Sequence, residues 1–368
     1  MSRALISIDV SGMLCGRMPA RDYDAIVVGA SFAGLAVARQ LHGNVLLLDR
    51  NEVGAVQTSA CGTPLWVPES LGVSSSVLQV HDRLVIRTPT RTVRYDLSSV
   101  PFCTFDYRAF CQGLLAQCGA RFLRTSVSGI QDRAVVTGEG RFTAPVVVDA
   151  SGWRRVLTGG ALHQPGGRHS FGLETHTEHD DEGLTFLLDQ RLIPQGLGWI
   201  FPVGRGSLIG LGSYAGRSKL KPALEGLLRE QGIAAGSYHG TYFPKRLLPG
   251  TVDRVFAVGD AAGQCLPLTA EGIRPAVYFG GECGRIVQQI LDGALSLDAG
   301  LERYRQLVAV YRRPYRLLQF AQWMAAYTPT RWFAMVTQIA ATHPFRSGWW
   351  PRYGWFGRSP RAGMAAAT

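Results

Sequence analysis

The segment from 24 to 50 constrains this chain more than any other. DAIVV at 24–28 is a short apolar run of β-branched character, GASFAG at 29–34 is a turn of small residues, LAVARQL has helical spacing, and NVLLLDR at 44–50 is a second apolar run ending in an acid. That order reads as a strand, a helix and a second buried strand. Gly29 permits a tight turn at the strand end, with Ala30 and Ala33 keeping the intervening positions small. Ser31 takes the place where a small residue lets backbone N–H groups approach a pyrophosphate, and Gly34 lets the helix pack on the strand. Asp49, followed by Arg50, lies 20 residues after Gly29, the spacing of a carboxylate that hydrogen-bonds a ribose hydroxyl. The expectation is a dinucleotide site at the start of an α/β fold.

The rest of the chain divides by pattern. Residues 1–21 read as an N-terminal extension, with Met18 a possible start. PVVVDASG at 145–152 is another buried strand ending in a turn, and a helix is expected from about Tyr107 to Cys118. Between 161 and 249 short alternating segments such as FGLETHTEH and LGWIFPV point to a β-rich insertion. RVFAVGDAAG at 254–263 then returns to the strand-into-glycine style, and the chain is helical from about 270. The expected architecture is a Rossmann-type domain from 22–160 and 250–300, an inserted β-rich substrate domain at 161–249, and a helical region at 301–368.

In the late motif Asp260, flanked by Gly259 and Ala261, has little bulk around it and can approach a ribityl hydroxyl. A helix starting near Glu271 to Ile273, with Gly272 between them, would aim its N-terminus at the pyrimidine side of a flavin, where negative charge develops on reduction. Over about residues 22 to 290 the sequence resembles the FAD-dependent reductases and monooxygenases of p-hydroxybenzoate-hydroxylase-like fold. The resemblance implies FAD as cofactor.

Within that superfamily Leu197-Gly198-Trp199-Ile200-Phe201-Pro202, followed after seven residues by Gly210-Leu211-Gly212, is similar to the aromatic-x-W-x-F-P-x(7-8)-G-x-G signature of geranylgeranyl reductases, with Leu197 in place of the first aromatic. Ala60-Cys61-Gly62 resembles their Cys-Gly element beside the isoalloxazine, and Tyr107-Arg108-Ala109-Phe110 their helix start, whose Arg binds FAD phosphates. The resemblance implies reduction of C=C bonds in an isoprenoid or other hydrophobic lipid, with hydride from N5 of the reduced flavin. Trp199 and Phe201 would line the cavity, Cys61 and Gly62 would lie near the flavin, and the electron donor would be NADPH or ferredoxin-like. The middle segment, Asp149-Ala150-Ser151-Gly152, departs from the family's Ala-Asp-Gly-Ser and leaves pyridine-nucleotide handling open. Flavin halogenases share a related motif but use a catalytic Lys, and the only Lys here are 219, 221 and 245, outside the early flavin-proximal segment. A monooxygenase or epoxidase of a hydrophobic metabolite, and a non-catalytic flavin- or lipid-binding protein, remain alternatives.

The formal net charge is +11, and residues 301–368 hold ten Arg against Glu302 alone, so nearly all of the excess is in the tail. Five of the eight Trp are there too. Arg mixed with Trp and Tyr at helical spacing suits either a membrane interface or a cap on the substrate cavity, with Pro314, Pro329, Pro344 and Pro351 dividing the helices. No nucleic-acid reader motif accompanies the charge, so nucleic acid is not expected. His163, His169, His176 and His179 lack metal-site spacing, and no metal is expected. Seven Cys without a C-x-x-C pair fit free thiols in a reducing cytoplasm, and the expected location is cytoplasmic, peripheral on the inner face of the membrane.

Overall fold

The Ala25–Val28 strand lies between Val45–Asp49 and Val146–Asp149, and Arg121–Arg124 and Val255–Ala257 extend the sheet on either side, all parallel. Every residue of Ala25–Val28 and Val146–Asp149 is buried, as a parallel sheet covered on both faces requires. This computed structural model describes residues 21–159 and 169–329 together with Trp332, Met335, Gln338 and Ile339. His163, Pro344, Trp349, Trp350, Pro351 and Trp355 lie outside the described residues, as do positions 1–20. The described helices are α1 (Phe32–Ala38), α2 (Trp66–Ser70), α3 (Tyr107–Leu115), α4 (Lys221–Glu230), α5 (Ile273–Leu291), α6 (Leu297–Val310) and α7 (Arg312–Tyr327). Helices α1 and α5 pack at backbone distance, because a Cβ on Gly280 would lie 2.6 Å from the Ala33 carbonyl oxygen.

The second large sheet has seven strands in the order Tyr238–Pro244, His169–Thr177, Ser207–Ser213, Gly196–Pro202, Leu184–Leu187, Arg83–Arg87 and Thr92–Asp96. Five come from the inserted segment. The other two, from 83–96, lie outside the 161–249 boundary read from sequence. They join through parallel pairing of Leu84–Arg87 with Leu184–Leu187, a pairing no local pattern encodes. Leu224, Leu227 and Leu228 of α4 cover one face of this sheet against Ile200, Ile209 and Leu211. The opposite face is left for the site.

A small sheet of Gly62–Pro64, Phe102–Phe105 and Val77–His81 sits beside it. His81 is 3% exposed, its Nε2 is 3.1 Å from Thr104 Oγ1, and that hydroxyl donates to the Pro202 carbonyl at 2.5 Å. Burial lowers the His81 imidazole from 6.5 to about 4. The folded protein therefore keeps His81 neutral while the unfolded chain takes up a proton below 6.5. Stability is fully present above that value and falls as pH drops towards 4, by about 3 kcal/mol at about 1.4 kcal/mol per pH unit. Denaturant titrations from pH 7 to 4 should show that loss in the native protein and a shallower one in His81→Gln.

Helix α7 starts where Pro314 falls in its first turn, a position whose missing N–H costs no helical bond, so this proline opens a helix. Polar links fasten α7 to the body. Tyr315 Oη donates to the Gln264 carbonyl at 2.6 Å, Gln319 to the Lys245 carbonyl at 2.8 Å, and Gln190 to the Thr328 carbonyl at 2.7 Å.

Candidate active site

Gly29 has φ +108°, and a Cβ there would sit 2.1 Å from the Ala150 carbonyl oxygen, so the turn excludes any side chain. Gly34 is fixed by the same crowding, with its virtual Cβ 1.8 Å from the Gly29 carbonyl oxygen. Ser31, by contrast, has ordinary extended backbone (φ −111°), which explains why this position tolerates a residue other than glycine. Its hydroxyl lies 2.9 Å from the Tyr107 hydroxyl. Asp49 accepts from the Ala30 and Asn51 N–H groups, both at 2.9 Å, and so ties the end of its strand to the turn. Gly259 meets Ala33 directly, since a Cβ on it would be 2.7 Å from the Ala33 Cβ. The early and late glycine motifs are thus one continuous surface.

Gly29, Ala30, Ser31, Ala33, Asp49, Arg50, Gly62, Gly259, Asp260, Gly272 and Ile273 all line a single cavity of about 1480 Å³. Burial pushes the Asp260 carboxyl up to about 7, and among the described residues no hydrogen bond reaches that carboxyl. A protonated carboxyl both donates and accepts, which suits a hydroxyl partner. Gly34 packs behind the turn. Arg108 is exposed at the start of α3, its Cα 2.8 Å from a virtual Cβ on Gly54, and is not among the lining residues. Cys61 also departs from expectation. It is 1% exposed, has φ +56°, and turns its thiol to the Ser59 carbonyl at 3.3 Å inside the core. Burial, together with the Glu174 carboxylate, pushes that thiol well above its usual range. The cavity is lined by its neighbours Ala60 and Gly62.

The second sheet supplies the opposite wall. Along Gly196–Pro202 alternate residues face in, so Leu197, Trp199 and Phe201 line the cavity while Ile200 is buried against α4. One cross-strand row runs His239, Glu174, Gly210, Trp199, Phe186, Ile86. At its centre a Cβ on Gly210 would lie 2.3 Å from the Trp199 ring, and one on Gly212 would lie 3.3 Å from it. The G-x-G of the motif is the floor on which the indole lies. Across that floor Trp199 Nε1 donates to Glu174 Oε2 at 2.8 Å.

Sequence reading missed Glu174, His239 and Gln57, which meet on this wall. The alternation in FGLETHTEH held a signal, because it puts Glu174 on the same side as Gly172. Asp149 was also missed as an organiser. Its fully buried carboxylate accepts from the Ser151, Leu157 and Thr158 N–H groups and from the hydroxyls of Ser151 and Thr158, shaping the turn against which Gly29 rests.

The residues fit FAD. A turn stripped of side chains by Gly29 with Asp49 beside it would hold the adenosine and pyrophosphate end. Asp260, with Gly272 and Ile273, would hold the ribityl and isoalloxazine end.

No protein-family model matches the chain. It is 26% identical to digeranylgeranylglycerophospholipid reductase 2 of Methanothermobacter thermautotrophicus, across 74% of this chain and 78% of that protein. It is 31% identical to the digeranylgeranylglycerophospholipid reductase of Methanocaldococcus jannaschii over 32% of each chain. Its fold matches the crystal structure of a geranylgeranyl bacteriochlorophyll reductase-like protein from Thermoplasma acidophilum with a TM-score of 0.79, at 18% identity over 88% of this chain and 93% of that one. A probable FAD-dependent monooxygenase from Pseudomonas aeruginosa, PqsL, gives 0.66 at 17% identity, over 86% of this chain and 100% of that one. With the paired glycine motifs and the Trp199 floor, these likenesses support a flavoprotein oxidoreductase similar to the geranylgeranyl reductases.

Proposed function

We propose that the protein reduces C=C bonds in an isoprenoid, geranylgeranyl-type lipid chain. The observation that carries this reading is that the dinucleotide cradle and the apolar wall of Phe186, Leu197, Trp199 and Phe201 border one cavity. Its volume of about 1480 Å³ exceeds the roughly 300–1,000 Å³ of a usual small-molecule pocket, leaving space for a second, apolar molecule beside a dinucleotide. FAD supplies hydride transfer when bound, with electrons from a donor such as NADPH or a ferredoxin-like protein. The chain orients the alkene and excludes water from it. Anaerobic incubation with dithionite and a geranylgeranyl lipid should give products heavier by two hydrogens per reduced bond. Products that form only in air and carry oxygen would support the monooxygenase reading instead.

We further propose that the enzyme docks peripherally on the inner face of an anionic membrane through α7. Leu317, Phe320, Trp323 and Tyr327 are 71, 61, 55 and 60% exposed, and Phe320 and Met324 also line the cavity. A contiguous aromatic ridge that borders the cavity, next to Arg312, Arg313 and Arg316, suits lipid headgroups and an entering acyl-like chain. Among the described residues no helix is long and apolar enough to cross a membrane, and the six described cysteines are free thiols. The native protein should pellet with anionic vesicles and stay in solution with neutral ones, and Trp323→Glu combined with Phe320→Ser should stay in solution with both. Equal pelleting of the two proteins contradicts the docking surface.

A further inference from the structure

Glu174 is 3% exposed, yet three side chains from separate segments converge on its carboxylate. Trp199 Nε1 donates to Oε2 at 2.8 Å, Gln57 Nε2 to Oε1 at 3.3 Å, and His239 Nε2 lies 2.5 Å from Oε1. A carboxyl group bonded to an imidazole nitrogen orients the ring. His239 lines the cavity, and its side chain is 29% exposed. Among the described residues its Nδ1 has no hydrogen-bond partner. The ring is therefore anchored at one nitrogen and free at the other, in a wall otherwise built from Trp199, Phe186 and Phe201.

We propose that His239 donates the proton that completes C=C reduction, and that Glu174 is the positioning residue holding it by Nε2. This rests on the reductase reading above. Reduction of an alkene adds two protons and two electrons, delivered as one hydride and one proton. The π bond breaks, one carbon forms a C–H bond with an incoming hydride, and the other forms a C–H bond with a proton from His239 Nδ1. The imidazolium becomes neutral imidazole and is protonated again from solvent along its exposed edge. Histidine is the side chain suited to cycle this way near neutral pH. The other candidate on sequence grounds, Cys61, keeps its thiol in the core, bonded to the Ser59 carbonyl.

The geometry also explains the Trp199 floor. By lying over Gly210 the indole reaches Glu174 and fixes the carboxylate that fixes His239. One side chain thus forms the apolar wall and orders the proton donor.

The test uses the FAD-loaded enzyme and a geranylgeranyl lipid under anaerobic conditions with dithionite. His239→Gln keeps an amide that can bond Glu174 but has no proton to transfer. It should retain FAD and KM while kcat falls on the order of 100-fold. His239→Ala should fall likewise and regain turnover with added imidazole. Glu174→Gln should lower kcat less. In the cofactor-free protein, ring ¹⁵N NMR should report a hydrogen-bonded Nε2–H on His239 that is lost in Glu174→Gln but not in Cys61→Ser. A His239→Gln enzyme within about threefold of native kcat, or a His239→Ala enzyme that imidazole does not restore, overturns the proposal. If the native enzyme hydrogenates no isoprenoid, the reductase reading falls first. If it does and the histidine variants match it, only the proton donor is wrong.

Discussion

Replacing Gly29 with alanine is expected to abolish FAD binding. Its φ of +108° is strained for any residue with a Cβ, and strain of that kind costs about 1–3 kcal/mol before any collision. The added methyl would also sit 2.1 Å from the Ala150 carbonyl oxygen, and the Asp149 network behind Ala150 resists movement. Together these displace the turn that faces the pyrophosphate and weaken FAD binding by at least about 100-fold. Flavin fluorescence titration of the apoprotein measures this, with circular dichroism to check that the fold survives. Tight FAD binding by a folded Gly29→Ala protein contradicts the assignment of this turn to the cofactor.

The second large effect is expected at Trp199. Its indole is part of the apolar cavity wall, rests on Gly210 and Gly212, and donates to Glu174. Trp199→Ala should therefore keep FAD while lowering turnover on the order of 100-fold, the usual consequence of misplacing a substrate by about 1 Å. Equal loss of FAD and activity would move Trp199 from the substrate wall to the cofactor. FAD content and steady-state kinetics on the same preparation separate these outcomes.

What was legible in the sequence follows the range over which each constraint acts. The cofactor cradle could be read because Gly29, Gly34 and Asp49 are fixed by turn geometry and strand spacing within one short unit. Trp199 and Phe201 could be read through the resemblance of their motif to the reductase signature, and in the structure strand alternation places both on one face. The hairpin at 83–96 could not be placed, since its membership in the second sheet depends on a parallel pairing with residues about a hundred positions away. The Glu174, His239 and Gln57 cluster was hidden for a similar reason, as Glu174 and His239 come together by cross-strand register and Gln57 reaches them from a distant loop. Cys61 shows the opposite case. The tripeptide Ala60-Cys61-Gly62 lies at the cavity as expected, but left-handed backbone at Cys61 turns its side chain into the core.

The tail shows how two sequence readings can share one helix. Its Arg and aromatic residues fitted either a cavity cap or a membrane surface. In the structure Phe320 and Met324 do line the cavity, while Leu317, Trp323 and Tyr327 extend the same ridge outward. A helix that borders the cavity and presents its remaining apolar side chains to solvent leads to the membrane docking that the vesicle experiment tests.

The central claim, that this cavity brings an isoprenoid alkene to a bound flavin, is tested most directly by a single turnover. The purified yellow protein is reduced anaerobically, freed of excess reductant and mixed with a geranylgeranyl lipid. The account predicts that oxidised flavin absorbance returns as the lipid is added, with one C=C bond hydrogenated for each flavin reoxidised. Flavin that stays reduced with the lipid and is reoxidised only on admitting air contradicts it.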